Sequence, residues 1–98
     1  MKNLEEIEGI LARHKKELKE RYRVKEIGVF GSYARGEHGV KSDLDILVEF
    51  EKPIGWEIVD LHEYLEEILD AKVDLVSKGA VVRKPLLWES IKEELINV

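Results

Sequence analysis

The chain has 98 residues, a formal charge of −5 from 16 Lys and Arg against 21 Asp and Glu, and no cysteine. Lack of cysteine excludes disulfides, thiolate catalysis and Cys-ligated zinc or iron–sulfur sites, and a net negative balance without a basic stripe argues against general nucleic-acid binding. A hydrophobic content of 44% with two prolines and seven glycines is that of an ordered chain, and its length predicts a single domain over residues 1–98 with a modest core.

No run approaches the roughly 18 apolar residues of a membrane span, and MKNLEEIEGI has no apolar stretch ahead of a cleavage site, so the expected location is cytoplasmic, without membrane association. Leu4, Ile7, Leu11, Leu18 and Tyr22 recur at helical spacing, with Ile10 widening the stripe, and predict one helix from Leu4 to Arg21. Asn3 is its expected N-cap, with Glu5, Glu6 and Glu8 near the positive end of the dipole. His14 on the stripe side is read as structural, and Lys15-Lys16 and Arg83-Lys84 as solvated surface.

Val24 to Phe30 reads as the first strand, ended by a sharp turn at Gly31. Ser32 is positioned to cap a short helix over Tyr33 to Arg35, and Glu37 to Ser42 is a polar loop between Gly36 and the next strand. That strand, Leu44 to Phe50, alternates, with Asp43, Asp45, Leu47 and Glu49 on one side and Leu44, Ile46, Val48 and Phe50 on the other. A helix follows from Trp56 to Leu69, with Ile58, Leu61, Leu65 and Ile68 inward and Trp56 and Val59 beside them. Lys72 to Val76 is a third strand, and a brief Val81-Val82 segment precedes a break near Pro85. A last helix from Leu86 to Ile96 uses Leu87, Ile91 and Leu95 as its stripe. The expected fold is α+β with α/β-like layers, a small mixed sheet of three or more strands flanked by helices. Strand directions do not follow from this pattern.

Asp43 and Asp45 are two residues apart on extended chain, so their Cα atoms are about 6.6 Å apart on one face. Two carboxylates so close repel each other, and a hard divalent cation removes that penalty while leaving positions for phosphate oxygens. Gly31-Ser32 lies where a strand meets a short helix, and backbone amides and a hydroxyl there can donate to a phosphate, with Arg35 one turn later. Neither a P-loop nor a dinucleotide-binding glycine pattern is present. From DxD spacing alone the bland reading, a turn cap and an exposed strand residue, is the commoner one.

Gly31-Ser32-Tyr33-Ala34-Arg35-Gly36-Glu37 followed by Ser42-Asp43-Leu44-Asp45-Ile46-Leu47-Val48 closely resembles the signature of the minimal nucleotidyltransferases, in the DNA polymerase beta-like superfamily. The resemblance implies that Gly31 and Ser32, with Arg35 and Ser42 of the same elements, serve the nucleotide. It implies that Asp43 and Asp45 bind magnesium, two ions in all, and that Asp74 in Lys72-Val73-Asp74-Leu75-Val76 is the third catalytic and metal-binding carboxylate. It further implies transfer of AMP from ATP to a hydroxyl, with pyrophosphate released. Minimal members are often antitoxins that attach AMP to a tyrosine of a HEPN-type toxin ribonuclease, which makes such a toxin the expected partner. Trp56, Tyr64 and Trp88 are candidates for a partner face or homodimer contact, with core or rim packing the commoner fate of each. The competing reading is a catalytically idle binding module that neutralises or scaffolds a partner by contact.

Overall fold

The computed structural model describes residues 2–53 and 55–98. The first helix, α1 (Leu4–Arg13), starts as its sequence predicts. Asn3 Oδ1 accepts from the Glu6 amide at 2.9 Å, and Glu6 Oε1 accepts from the Asn3 amide at 3.4 Å, a reciprocal capping box. The single helix expected over 4–21 is instead two, because His14 breaks it. The His14 Nδ1–H donates to the Ile10 carbonyl at 2.8 Å, satisfying a group at the end of α1, and α2 (Lys15–Tyr22) begins at the next residue. His14 is thus structural, as read.

Among the described residues four strands follow: β1 (Val24–Phe30), β2 (Leu44–Phe50), β3 (Val73–Ser77) and β4 (Ile96–Asn97). They pair in the order β3-β2-β1-β4, with β1 antiparallel to both β2 and β4, and β2 parallel to β3. The parallel pair requires a crossover, supplied by α4 (Glu57–Leu69). The sheet is mixed and flanked by helices, which is the expected fold class. The short β4 is an addition: two residues pairing Gly28 with Asn97 and Val29 with Ile96 carry too little pattern to be read from sequence.

Strand alternation gives the sheet two different faces. Ile27, Val29, Leu44, Ile46 and Val48 join Ile7, Leu11, Leu18, Leu61, Leu65 and Leu69 of α1, α2 and α4 in the main core. The other face is covered only in part, by α5 (Lys78–Val81) and α6 (Pro85–Glu94), through a smaller cluster of Phe30, Leu47, Val81 and Ile91. The Val81-Val82 segment is therefore the end of a one-turn helix. Ile68 packs against the main core as expected, joined by the fully buried Leu69. Three other stripe assignments need correction: Trp56 stands 89% exposed, Val59 and Leu87 are about half exposed, and Trp88 rather than Leu87 packs beside Ile91. Tyr64 packs against the Tyr22 ring, with centroids 5.1 Å apart. No described helix is long and apolar enough to cross a membrane.

Candidate active site

The thinly covered face carries the acidic residues. In the parallel pairing Asp45 stands opposite Asp74, and in the antiparallel pairing Asp45 also stands opposite Phe30, the last residue before Gly31. Three adjacent strands therefore bring Asp74, Asp45 and the Gly31 turn side by side. Asp45 is half-buried, whereas Asp43, just ahead of β2, and Asp74 are exposed. Burial, then the charge of Asp74 and a side-chain hydrogen bond with it, then Asp43 and Glu94, push the Asp45 carboxyl up to about 6. The residue before Asp74 is held by α4. His62 Nε2–H donates to the Val73 carbonyl at 2.7 Å, and Glu66 Oε2 accepts from the Val73 amide at 2.8 Å. These bonds occupy backbone groups on the outer edge of the sheet, which would otherwise be unpaired.

At the end of β1 the chain enters α3 (Gly31–Arg35) directly, and Phe30 rather than Ser32 is the N-cap residue. Ser32 thus lies within the first turn instead of capping it. Gly31 has φ +75°, and a Cβ added there would fall on the Asp45 carboxylate. Only glycine meets both conditions, a left-handed backbone and direct contact with the acid. The helix ends at Gly36, also left-handed, whose amide bonds the Ser32 and Tyr33 carbonyls. Ser42 Oγ accepts from the Gly39 amide at 2.8 Å, and so closes the loop that delivers the chain to Asp43.

One neighbour escaped sequence reasoning. Glu94, in the last turn of α6, accepts from the Gly31 amide at 3.0 Å through Oε1 and from Arg35 Nη1 at 2.7 Å through Oε2. Arg35 Nε also donates to Glu37 at 2.8 Å. No spacing signal could have flagged Glu94, which lies 63 residues from Gly31 on a helix whose other acids are solvated.

Oxygen donors alone, pressed together on a partly exposed face, suit a hard divalent cation. Burial first, and then the neighbouring acids, oppose the charge on Asp45, and a cation there would offset both. Among the described residues no three His, Asp or Glu side chains converge as a ready-made cage. Asp45 and Asp74 form the paired centre, with Asp43 and Glu94 at the rim. A cleft of about 380 Å³ opens beside this rim, lined in part by Ser42, Asp43, Tyr33, Lys41 and Lys72; it meets the acidic centre through Asp43 and not through Asp45 or Asp74.

Residues 11–98 match the Nucleotidyltransferase domain family. The chain is 57% identical over 99 residues to the protein adenylyltransferase MntA of Thermococcus cleftensis, covering all of this chain and 98% of that protein. It is 36% identical to a solved candidate minimal nucleotidyltransferase, with a TM-score of 0.75 over 94% of this chain and 95% of that one. A chain from the complex of tri-AMPylated Shewanella oneidensis HEPN toxin with an MNT antitoxin shares the fold, with a TM-score of 0.63 at 22% identity, covering 93% of this chain and 70% of that one.

Proposed function

The chain belongs to the minimal nucleotidyltransferase family, and from that premise we propose that it is a protein adenylyltransferase moving AMP from ATP to a hydroxyl on a partner protein. The observation that carries this reading is the register match of Asp45 with Asp74 beside the Gly31 turn, which sets a carboxylate pair against the glycine elbow that starts α3. The Gly31 amide, the Ser32 hydroxyl and Arg35 hold the β- and γ-phosphates. Ser42 contributes by bracing the loop ahead of Asp43. Asp43, Asp45 and Asp74 are the ligands for magnesium, with two ions the expected number. When bound, the metal would neutralise the triphosphate and lower the pKa of the attacking hydroxyl.

The acceptor oxygen forms a bond to the α-phosphorus, the α,β-bridging bond breaks, and pyrophosphate leaves. Asp74, an exposed strand carboxylate beside Asp45, takes the hydroxyl proton. The family's antitoxin members point to a tyrosine of a HEPN toxin as acceptor, in a cytoplasmic setting, with the chain acting as one catalytic domain. The exposed Trp56 is a candidate contact for that partner or for a second copy of the chain.

The test is incubation with labelled ATP, magnesium and the protein encoded by the adjacent gene. Addition of AMP mass to that protein, lost when Asp43 and Asp45 are both replaced by Asn, is the expected result. If the double variant silences the partner as well as the wild type does and no mass is added by either, the chain works by contact and the enzymatic reading fails.

A further inference from the structure

We propose that Glu94 is an internal competitor for the nucleotide's phosphates and sets the affinity of the site. Its carboxylate engages the Gly31 amide with one oxygen and the Arg35 guanidinium with the other. Those are two of the donors that a phosphate would use, so the inference rests on reading them as the phosphate cradle. A carboxylate and a phosphate oxygen accept from N–H groups in the same way; the single Gly31 N–H cannot serve both at full strength, and Arg35 would divide its charge and its several N–H groups between them.

The placement is built into the fold. Ile91, one turn earlier on α6, is only 4% exposed and is anchored in the small cluster with Phe30, Leu47 and Val81. Leu95 packs against the same cluster. Between those anchors Glu94 is presented to the start of α3, with its side chain about one quarter exposed. It belongs to the last turn of α6, where the carboxylate can rotate toward solvent without unpacking the cluster.

The probes are sodium tripolyphosphate without metal, and α,β-methylene ATP with and without magnesium, with binding measured by calorimetry on the full chain. Glu94→Gln keeps the shape and removes the charge; it should bind both probes about tenfold more tightly, and Glu94→Ala at least as much, with the gain present in the metal-free arm. Arg35→Gln should weaken both probes. If Arg35→Gln leaves affinity unchanged, the phosphate cradle itself has been misplaced and the inference falls with it. If Arg35→Gln weakens binding but Glu94→Gln is neutral or also weakens it, the cradle stands and Glu94 instead positions Arg35, which overturns the proposal. The wild type supplies a readout free of substitution: in a structure with α,β-methylene ATP the Glu94 carboxylate must have left the Gly31 amide. Finding it still bonded there rejects the proposal.

Discussion

Asp45 and Asp74 face one another across the parallel β2–β3 pair, and Asp45 titrates near 6 because its burial and that neighbour both oppose its charge. A carboxyl raised in the folded state binds a proton that the unfolded chain, at about 3.8, has already released. Its contribution to stability is fully present below the unfolded value and is lost as pH rises through the folded one. Urea unfolding in EDTA should therefore show stability falling between about pH 4 and pH 6. Asp45→Asn should remove that component of the slope, so that wild type and variant differ most at neutral pH, with the variant the more stable. A parallel pH dependence in both proteins would place the strain elsewhere.

The same repulsion should make magnesium a stabiliser. Metal and proton compete for Asp45, so apparent magnesium affinity should fall roughly tenfold for each pH unit below about 6. Asp74→Asn should keep or raise the melting temperature in EDTA, because it removes a destabilising charge. It should also lose most of the magnesium-induced rise and slow AMP transfer by about 10²–10⁴-fold. Thermal scans with and without metal, alongside a single-turnover assay, separate these effects.

Gly31 and Gly36 offer a matched comparison. Both have positive φ, +75° and +71°, so alanine at either position meets the left-handed penalty of about 1–2 kcal/mol. At Gly36 the new Cβ meets nothing within 4 Å, whereas at Gly31 it lands on Asp45. Gly36→Ala should cost about that backbone penalty and retain nucleotide binding. Gly31→Ala should cost more and abolish detectable binding, because the acid and the elbow must move apart. Calorimetry and denaturation on the two variants would show the difference.

How far these features could be read beforehand depended on whether the signal was local. The Asn3 cap, the β1 and β2 strands, and the division of β2 into an acidic and a core face all follow from neighbours within a few residues, and the structure has them. The pairing of Asp45 with Asp74 needed a relation between strands 29 residues apart, and only the resemblance of the motif, not its spacing, pointed to Asp74. Local reasoning failed where tertiary contacts decide. His14 breaks a continuous helical stripe by bonding its own turn, and β4 exists because β1 offers it an edge. The hold of Glu94 on Gly31 depends on α6 crossing the open face, which no periodicity encodes.

That crossing makes a last prediction possible. Ile91 fastens α6 to the sheet, and Ile91→Ala should cost about 2–4 kcal/mol through the cavity it leaves. Leu11→Ala, in the main core and fully buried, should cost a similar amount. The two differ in what they loosen. Removing Leu11 weakens the packing of α1 on the sheet and leaves α6 seated, so exchange of the Gly31 amide should quicken only as far as global unfolding does. Removing Ile91 frees the end of α6, withdraws the Glu94 acceptor, and should expose the Gly31 amide through a local opening. Hydrogen exchange referenced to Ile46, in the fully buried centre of β2, gives the comparison. The ratio of Gly31 to Ile46 protection should fall at least tenfold in Ile91→Ala and stay near the wild-type value in Leu11→Ala. Equal ratios in the two variants would mean that Glu94 reaches Gly31 without help from the α6 anchor.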